Sequence, residues 1–131
     1  MEHLAGVDVK ASIQKRVLTT EDATTMTKTL LKAGQYLLRN DLVHGDIKPE
    51  NIMMLERKGK HHFKVIDFGS ILQLYATQSR AGTPSYLAPE RFTGTAINES
   101  TELFAIGVTL YESLTGKYPY GEIEQIGRAH V

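Results

Sequence analysis

The sequence predicts an α+β domain that is mostly helical and contains one short β-hairpin. Two segments, residues 20–40 and 103–114, carry apolar residues at helical spacing. Between them, two short apolar runs flank a charged stretch, which is typical of a hairpin. Residues 67–98 contain several glycines and prolines without sustained periodicity, so we expect a long loop there.

The first two helices are predicted from apolar spacing and from capping residues. A short helix is expected over residues 8–18, with Val17 among the apolar residues on its inner side. A longer helix follows, with Thr20 as its N-cap and an end near Asn40. Its buried side is expected to carry Leu30, Gly34, Leu37 and Leu38.

The hairpin and the last helix complete the predicted elements. Residues 52–55 and 63–66 are expected to form two strands, and the charged residues 56–60 their turn. The last helix is expected to stop at Gly116 and to be deeply buried. Its predicted apolar side carries Leu103, Ile106, Gly107, Leu110 and Leu114.

Composition excludes several classes of protein. The 131 residues have a formal net charge of +0, which gives no electrostatic reason to expect a nucleic acid partner. The absence of cysteine excludes a disulfide framework and a Cys-ligated zinc. The apolar runs are too short for a membrane span, and the first residues do not resemble a secretory signal. We therefore expect a cytoplasmic domain with no membrane segment.

Two polar clusters contain residue types that phosphoryl transfer uses. Residues 44–51 place the carboxylate of Asp46, the ammonium of Lys48 and the amide of Asn51 in one loop. About twenty residues later, Asp67 follows an apolar strand and precedes Phe-Gly. A carboxylate can orient an attacking hydroxyl, a cation can neutralise phosphoryl charge, and oxygen ligands can hold Mg²⁺. Each cluster alone is also typical of a capped turn, but the ordered pair is far more specific.

A third stretch carries a family resemblance. Residues 82–90, Gly-Thr-Pro-Ser-Tyr-Leu-Ala-Pro-Glu, resemble the end of a protein kinase activation segment. Together with the two clusters, they make the sequence resemble the eukaryotic-like serine/threonine protein kinase family. The resemblance implies a kinase C-lobe with the N-lobe absent and residues 1–6 at the hinge between the lobes. Residues 1–125 would be a partial kinase domain, and residues 126–131 a non-native tail.

The resemblance also implies a role for each site residue. Asp46 would be the catalytic base, Lys48 would contact the γ-phosphate of ATP, and Asn51 and Asp67 would hold Mg²⁺. The adenine would bind between the hinge backbone and an apolar side chain, and one threonine would position the protein substrate. These further residues are Glu2 and Leu4 at the hinge, Met53 beneath the adenine, and Thr83 beside the substrate.

Two positions depart from the family pattern. Gly45 stands where most members have an arginine that pairs with an activation-loop phosphate. Glu102 stands where an aspartate of the central helix normally anchors the catalytic loop. Because a carboxylate is kept at residue 102, we expect the anchor to survive.

The sequence predicts an ATP- and Mg²⁺-dependent kinase that phosphorylates serine or threonine of a protein. An aminoglycoside- or choline-type small-molecule kinase is the alternative enzyme, although such kinases usually lack a counterpart of Lys48 and an Ala-Pro-Glu segment. A non-catalytic binding fragment is the third interpretation. The isolated chain is expected to be inactive, since no G-x-G spacing supplies a phosphate-covering loop.

Overall fold

A computed structural model describes residues 6–75, 86, 88 and 97–119 of the chain. Within these residues the fold mixes helix and sheet, as the sequence predicts, and helix is the larger part. None of the described helices combines the length and the apolar character that crossing a bilayer requires.

The first described element is strand β1, Gly6–Asp8, and helix α1, Val9–Gln14, follows it directly. The carboxylate at the end of β1 caps α1 by accepting from the N–H of Ala11 at 2.8 Å. The prediction that this helix reaches residue 18 is wrong. Arg16 has a φ of 56°, which ends the helix, and Val17 is consequently 53% exposed.

Helix α2, Thr20–Arg39, has the length that the sequence predicts but a different cap. Thr19 is the N-cap, and its hydroxyl accepts from the N–H of Asp22 at 3.0 Å. The carboxylate of Asp22 accepts in turn from the N–H of Thr19 at 3.1 Å. These two reciprocal hydrogen bonds form a capping box, which needs an acidic side chain three residues after the N-cap. Asp22 lies three residues after Thr19, so Thr19 rather than Thr20 is the N-cap.

Strands β3, Ile52–Arg57, and β4, Lys60–Val65, form the predicted hairpin. Its two turn residues, Lys58 and Gly59, both have positive φ angles, as a tight two-residue hairpin turn requires. The backbone pairing continues to this turn, so both strands extend further into the charged stretch than predicted. Strand β1 pairs antiparallel with β3 and makes a three-stranded sheet that the sequence analysis did not predict.

A second, two-stranded sheet was also not predicted. It pairs β2, Leu42–Val43, antiparallel with β5, Leu72–Gln73, inside the segment expected to be a loop. Strands of two residues are too short to produce a recognisable alternation of apolar and polar positions. Their pairing brings the residues that follow β2 beside the residues that precede β5, and these are the two polar clusters.

Helix α3, Glu99–Thr115, begins after the N-cap Asn98 and ends at Gly116, whose φ of 75° suits a C-cap. Its stop is confirmed. Of its predicted buried face, Ile106 is buried, but Leu103 and Leu114 are 53% and 54% exposed, so most of that face is wrong. The helix packs against α2 and buries smaller and more polar side chains, which allow a close approach. The buried residues are Thr101, Glu102, Ala105, Ile106, Val108, Thr109 and Glu112.

The main core lies between α1, α2, the hairpin and α3. One residue of the first polar cluster, Ile47, belongs to it, so the loop around residue 47 is anchored in the packed interior. The other members are Val9, Ile13, Met26, Leu30, Ile52, Phe63, Val65, Ala105 and Ile106.

Candidate active site

The structure brings together the three chemical groups of the first polar cluster. The Nζ atom of Lys48 lies 3.5 Å from Oδ2 of Asp46, and both side chains are largely buried. Nδ2 of Asn51 donates to the backbone oxygen of Asp46 at 2.8 Å and contacts its Oδ2 at 3.4 Å. The cation and the amide therefore both face one carboxylate, which fixes its position.

His44 connects the loop to the end of the hairpin. Its ring is fully buried, and Nδ1 accepts from the N–H of Asp46 at 3.2 Å. Nε2 therefore carries the proton and donates to the backbone oxygen of Ile66 at 3.2 Å. Phe68 lies edge-on to the ring, with the centroids 5.4 Å apart. Because both ring nitrogens are used in hydrogen bonds, His44 aligns the two polar clusters.

Glu102 anchors the same loop from helix α3. Its Oε2 accepts a short hydrogen bond from the backbone N–H of His44, and Glu102 is 4% exposed. The predicted anchoring contact is therefore confirmed with the longer acidic side chain. Gly34 of α2 faces this carboxylate, and a Cβ there would lie 3.6 Å from Cγ of Glu102. A small residue at position 34 thus leaves room for the extra methylene.

Gly45 is required by the backbone of the loop. Its φ is +91°, which residues with a side chain rarely adopt. A Cβ at this position would lie 2.3 Å from the backbone oxygen of Ser70, far closer than van der Waals contact allows. An arginine could not replace Gly45 unless the loop and residue 70 moved apart. The departure from the family pattern therefore changes the backbone as well as removing a cation.

Asp67 lies at the end of the hairpin, beside the loop. The N–H of Ile66 donates to the backbone oxygen of Asn51 at 2.8 Å, which holds the two segments together. Asp67 itself has a left-handed backbone, with φ 59° and ψ 77°, and its Oδ1 accepts from the N–H of Gly69 at 3.3 Å. Its side chain is exposed, so the carboxylate is accessible to a ligand.

Met53 and the hinge residues were predicted to hold the adenine. Met53 is half-buried on β3, opposite Asp8 of β1. Its Cε lies 3.1 Å from the place that a Cβ on Gly6 would occupy, so its side chain packs against β1 at the last residue of the predicted hinge. The other predicted binding residues, Glu2, Leu4 and Thr83, lie outside the described residues.

The donor set suits Mg²⁺ held together with a nucleotide. Because Nδ2 of Asn51 donates to Asp46, Oδ1 is the amide atom that can coordinate a cation, and Asp67 supplies a carboxylate. Mg²⁺ is typically bound through one or two such side chains plus phosphate oxygens. In the described part of the chain, no three His, Cys, Asp or Glu side chains form a cluster that could bind a metal without a nucleotide.

Helix α3 has a second buried carboxylate, that of Glu112, which is 2% exposed and was not predicted from the sequence. Its partners are Lys10 of α1 and Tyr86, which are 102 and 26 residues away. A buried acidic residue needs a donor. A glutamate on the same helical face as Thr101 and Ala105 was the available signal, but the spacing along the chain did not indicate its partners.

The comparisons with known proteins agree with this geometry. A loop that holds an aspartate, a lysine and an asparagine beside a further aspartate just after a strand has the groups of a phosphotransferase site. The family model described as protein kinase domain matches residues 1–130 of the chain. Because this match covers nearly the whole sequence, the chain belongs to the protein kinase domain family.

Three relatives are protein kinases by name, and two of these names specify a serine/threonine-protein kinase. The chain is 34% identical over 131 residues to Serine/threonine-protein kinase dkf-2 of Caenorhabditis briggsae, covering 96% of this chain and 11% of that protein. It is also 34% identical over 131 residues to Serine/threonine-protein kinase D3 of Homo sapiens, covering 96% of this chain and 15% of that protein. It is 34% identical over 110 residues to Calcium/calmodulin-dependent protein kinase type I of Schizosaccharomyces pombe, covering 80% and 33%. The chain thus spans a third or less of the length of these relatives.

Proposed function

We propose that the protein containing this chain is an ATP-dependent serine/threonine protein kinase. The chain would form the part of its active site that lies in the C-lobe. The observation that carries this proposal is the Asp46 carboxylate, which faces both the ammonium of Lys48 and the amide of Asn51. Family membership and the names of the relatives support the same reaction.

Asp46 acts as the proton acceptor. The hydroxyl oxygen of a substrate serine or threonine bonds to the γ-phosphorus of ATP, the bond to ADP breaks, and the hydroxyl proton moves to the Asp46 carboxylate. Asn51 holds the backbone oxygen of Asp46, and His44 accepts from its N–H, so the carboxylate is oriented before the substrate arrives. Such orientation lowers the barrier because no reorganisation is needed during the reaction.

Lys48 and the two metal-binding residues interact with the phosphates. Lys48 lies beside Asp46, so its ammonium can neutralise charge on the transferred group at the place where the hydroxyl attacks. Asn51 and Asp67 would hold Mg²⁺, which neutralises charge on the phosphate oxygens when it is bound. Met53 would pack against the adenine, the backbone of Glu2 and Leu4 would bind its edge, and Thr83 would position the substrate.

The test measures phosphate transfer from labelled ATP to a serine-containing protein by the full-length protein. D46N should lower kcat by at least about a hundredfold, the scale of losing a positioned general base. D41N is the matched control, because it makes the same chemical change at an exposed aspartate five residues earlier. Full activity in D46N would contradict the assignment of the base.

The choice of acceptor tests the alternative enzyme class. Choline and an aminoglycoside, offered in place of the protein, should receive no phosphate. Transfer to either of them without transfer to the protein would favour a small-molecule kinase. The absence of transfer to any acceptor, with ATP still bound, would favour a non-catalytic binding role.

A further inference from the structure

The second buried carboxylate lies in a cluster away from the proposed reaction site. Oε2 of Glu112 lies 2.5 Å from Nζ of Lys10, and Oε1 accepts a short hydrogen bond from the hydroxyl of Tyr86. Nζ of Lys10 also donates to the hydroxyl of Tyr118 at 3.0 Å and lies 5.0 Å from the centroid of its ring. Both carboxylate oxygens of Glu112 are therefore used inside the protein.

The charges in this cluster cancel. Burial opposes the charged form of Lys10, but its bonds to Glu112 and Tyr118 outweigh burial and raise its pKa well above the ordinary value. Burial and the bond to Glu112 both raise the pKa of Tyr86, so its hydroxyl stays protonated. Lys10 is thus a permanent cation and Glu112 its anion. The Lys10–Glu112 pair has no net charge with which to attract a ligand cation.

A cavity of about 720 Å³ lies beside the cluster, between α1 and the C-terminal end of α3. Two further cations, Arg16 and Lys117, line it, and within the described part of the chain neither forms an ion pair. The lining residues therefore include three cations and a single carboxylate. The two helix C-termini add at most about half a negative charge each, which leaves the cavity cationic. Gln14 adds a side-chain amide to the lining, whereas the hydroxyls of Ser113 and Thr115 donate to backbone oxygens of α3. The remaining lining residues are Ile13, Leu18, Leu114, Gly116 and Tyr118.

The cavity is close to the proposed reaction site. Helix α1 packs against the turn Pro49–Asn51 of the polar loop and also forms one wall of the cavity. Since a six-residue helix is about 9 Å long, the cavity lies within roughly 10–15 Å of that loop. An extended peptide covers this distance with about three to five residues. Tyr86, which Glu112 holds, belongs to the stretch that resembles the end of an activation segment.

We propose that this cavity binds acidic side chains of the protein substrate, a few residues away from the phosphorylated serine or threonine. The proposal rests on the proposed kinase function and names its substrate class. Arg16 and Lys117 bind the substrate carboxylates, and Lys10 acts as a positioning residue that neutralises Glu112. An acidic peptide gains two ion pairs in the cavity, whereas a basic peptide meets two like charges.

The first test measures binding by the 131-residue chain without ATP. The probe is a fluorescein-labelled peptide with four glutamates before a central serine, compared with peptides carrying glutamine or lysine instead. Fluorescence anisotropy at low salt should give at least about tenfold tighter binding of the glutamate peptide than of the glutamine peptide. Equal affinities for the two peptides would overturn the proposal.

The variant R16E/K117E identifies the cavity as the binding place. It should weaken binding of the glutamate peptide at least tenfold and improve binding of the lysine peptide. K28E/K32E is the matched control, since it changes the net charge equally on the exposed side of α2. An equal loss in both variants would show nonspecific attraction and overturn the proposal.

A kinetic test in the full-length protein covers the case in which a variant chain folds poorly. R16E/K117E should raise KM for the glutamate peptide at least tenfold and leave kcat and KM for ATP unchanged. A lower kcat with an unchanged peptide KM would show a structural role only and overturn the proposal. If the wild-type chain binds the glutamate peptide selectively but the full-length protein transfers no phosphate, the kinase function fails and the binding site stands.

Discussion

Two buried glutamates of helix α3 have different hydrogen-bond partners. Glu102, near the start of the helix, accepts from the neutral backbone N–H of His44. Glu112, near its end, accepts from the cation of Lys10 and from the hydroxyl of Tyr86. Their exposed fractions are 4% and 2%, so burial alone does not explain why their partners differ.

The direction of the helix explains the difference. Unpaired N–H groups at a helix N-terminus stabilise a carboxylate by about 0.3–1 kcal/mol, and the carbonyls at the C-terminus oppose one similarly. Glu102 lies in the first turn of α3, where the helix N-terminus itself favours a carboxylate. Glu112 lies in the last turn, where a cation is needed. The comparison shows that one residue type can anchor a loop at one end of a helix and require an ion pair at the other.

The largest expected effect comes from removing the cation. K10M leaves the Glu112 carboxylate buried without its cation, a change that typically costs about 3–5 kcal/mol. Because the Lys10 side chain is 23% exposed, we expect a loss of about 2–3 kcal/mol in the free energy of unfolding. Urea denaturation followed by circular dichroism measures the loss. A K10M chain as stable as the wild type would contradict the need for a cation at this end of α3.

The double variant K10M/E112M is the control for that measurement. Replacing both charged partners by apolar side chains of similar volume removes the unpaired charge but also the acceptor of the Tyr86 hydroxyl, so part of the lost stability should return. A double variant as unstable as K10M would show that Lys10 matters through packing instead.

The loop that Glu102 anchors depends on backbone conformation, which Gly45 tests. G45A should lower the free energy of unfolding by about 2 kcal/mol or more, because it combines a positive φ with a close contact to Ser70. G59A is the control, since residue 59 also has a positive φ but no atom within 4 Å of its Cβ position. G59A should lower the free energy of unfolding by about 1 kcal/mol. Equal losses in the two variants, measured by urea denaturation, would exclude a role for the Ser70 contact.

Neutral amide variants compare the two glutamates directly. E102Q keeps an acceptor for the His44 N–H. It should lower the free energy of unfolding by only about 1 kcal/mol, the difference between a charge-assisted and a neutral hydrogen bond. E112Q also keeps its acceptor but leaves Lys10 without an anion, so its loss should be roughly twice as large. Thermal and urea denaturation of the two variants give the comparison. A larger loss in E102Q would reverse the argument from the helix direction.

The smallest expected effect concerns Asp22, a carboxylate in the first turn of α2. Burial raises its pKa, but hydrogen bonds from Thr19 and His61 outweigh burial and hold the pKa below 3.8. The stabilisation is therefore complete above pH 3.8 and is lost as the pH falls through the lower, folded-state pKa. The wild type should exceed D22N by about 0.5–1 kcal/mol at pH 6.

Denaturation of both proteins between pH 6 and 2.5 measures this difference. It should shrink only at the acid end of the range, where Asp22 becomes protonated. A difference that changed between pH 6 and 5 would show that a group other than Asp22 controls this stabilisation.

Local patterns were enough to predict α2, the hairpin and the first polar cluster. The α2 and hairpin predictions depended on residues close together in sequence, and so did the grouping of Asp46, Lys48 and Asn51. The cap of α2 was misplaced by one residue because two adjacent threonines offered the same hydroxyl. Only the acidic side chain at Asp22 distinguished them.

The buried face of α3 could not be predicted from hydrophobicity. The most apolar stripe of this helix, which includes Leu103 and Leu114, is exposed, and a stripe with Thr101, Ala105 and Glu112 is buried. Helical periodicity shows which residues share one face of a helix. Which face is buried depends on the shape and the polar groups of the neighbouring elements.

The sequence by itself determined α2, the hairpin, the last helix, the loop that holds Asp46 and the family of the chain, because all of these depend on short-range patterns. Only the tertiary structure decided that Lys10 neutralises Glu112 and that position 45 must be glycine. Those two results depend on contacts between residues 102 and 25 positions apart in the chain. Such contacts arise from the packing of α1, α3 and the segment after the hairpin, which no local pattern of residues encodes.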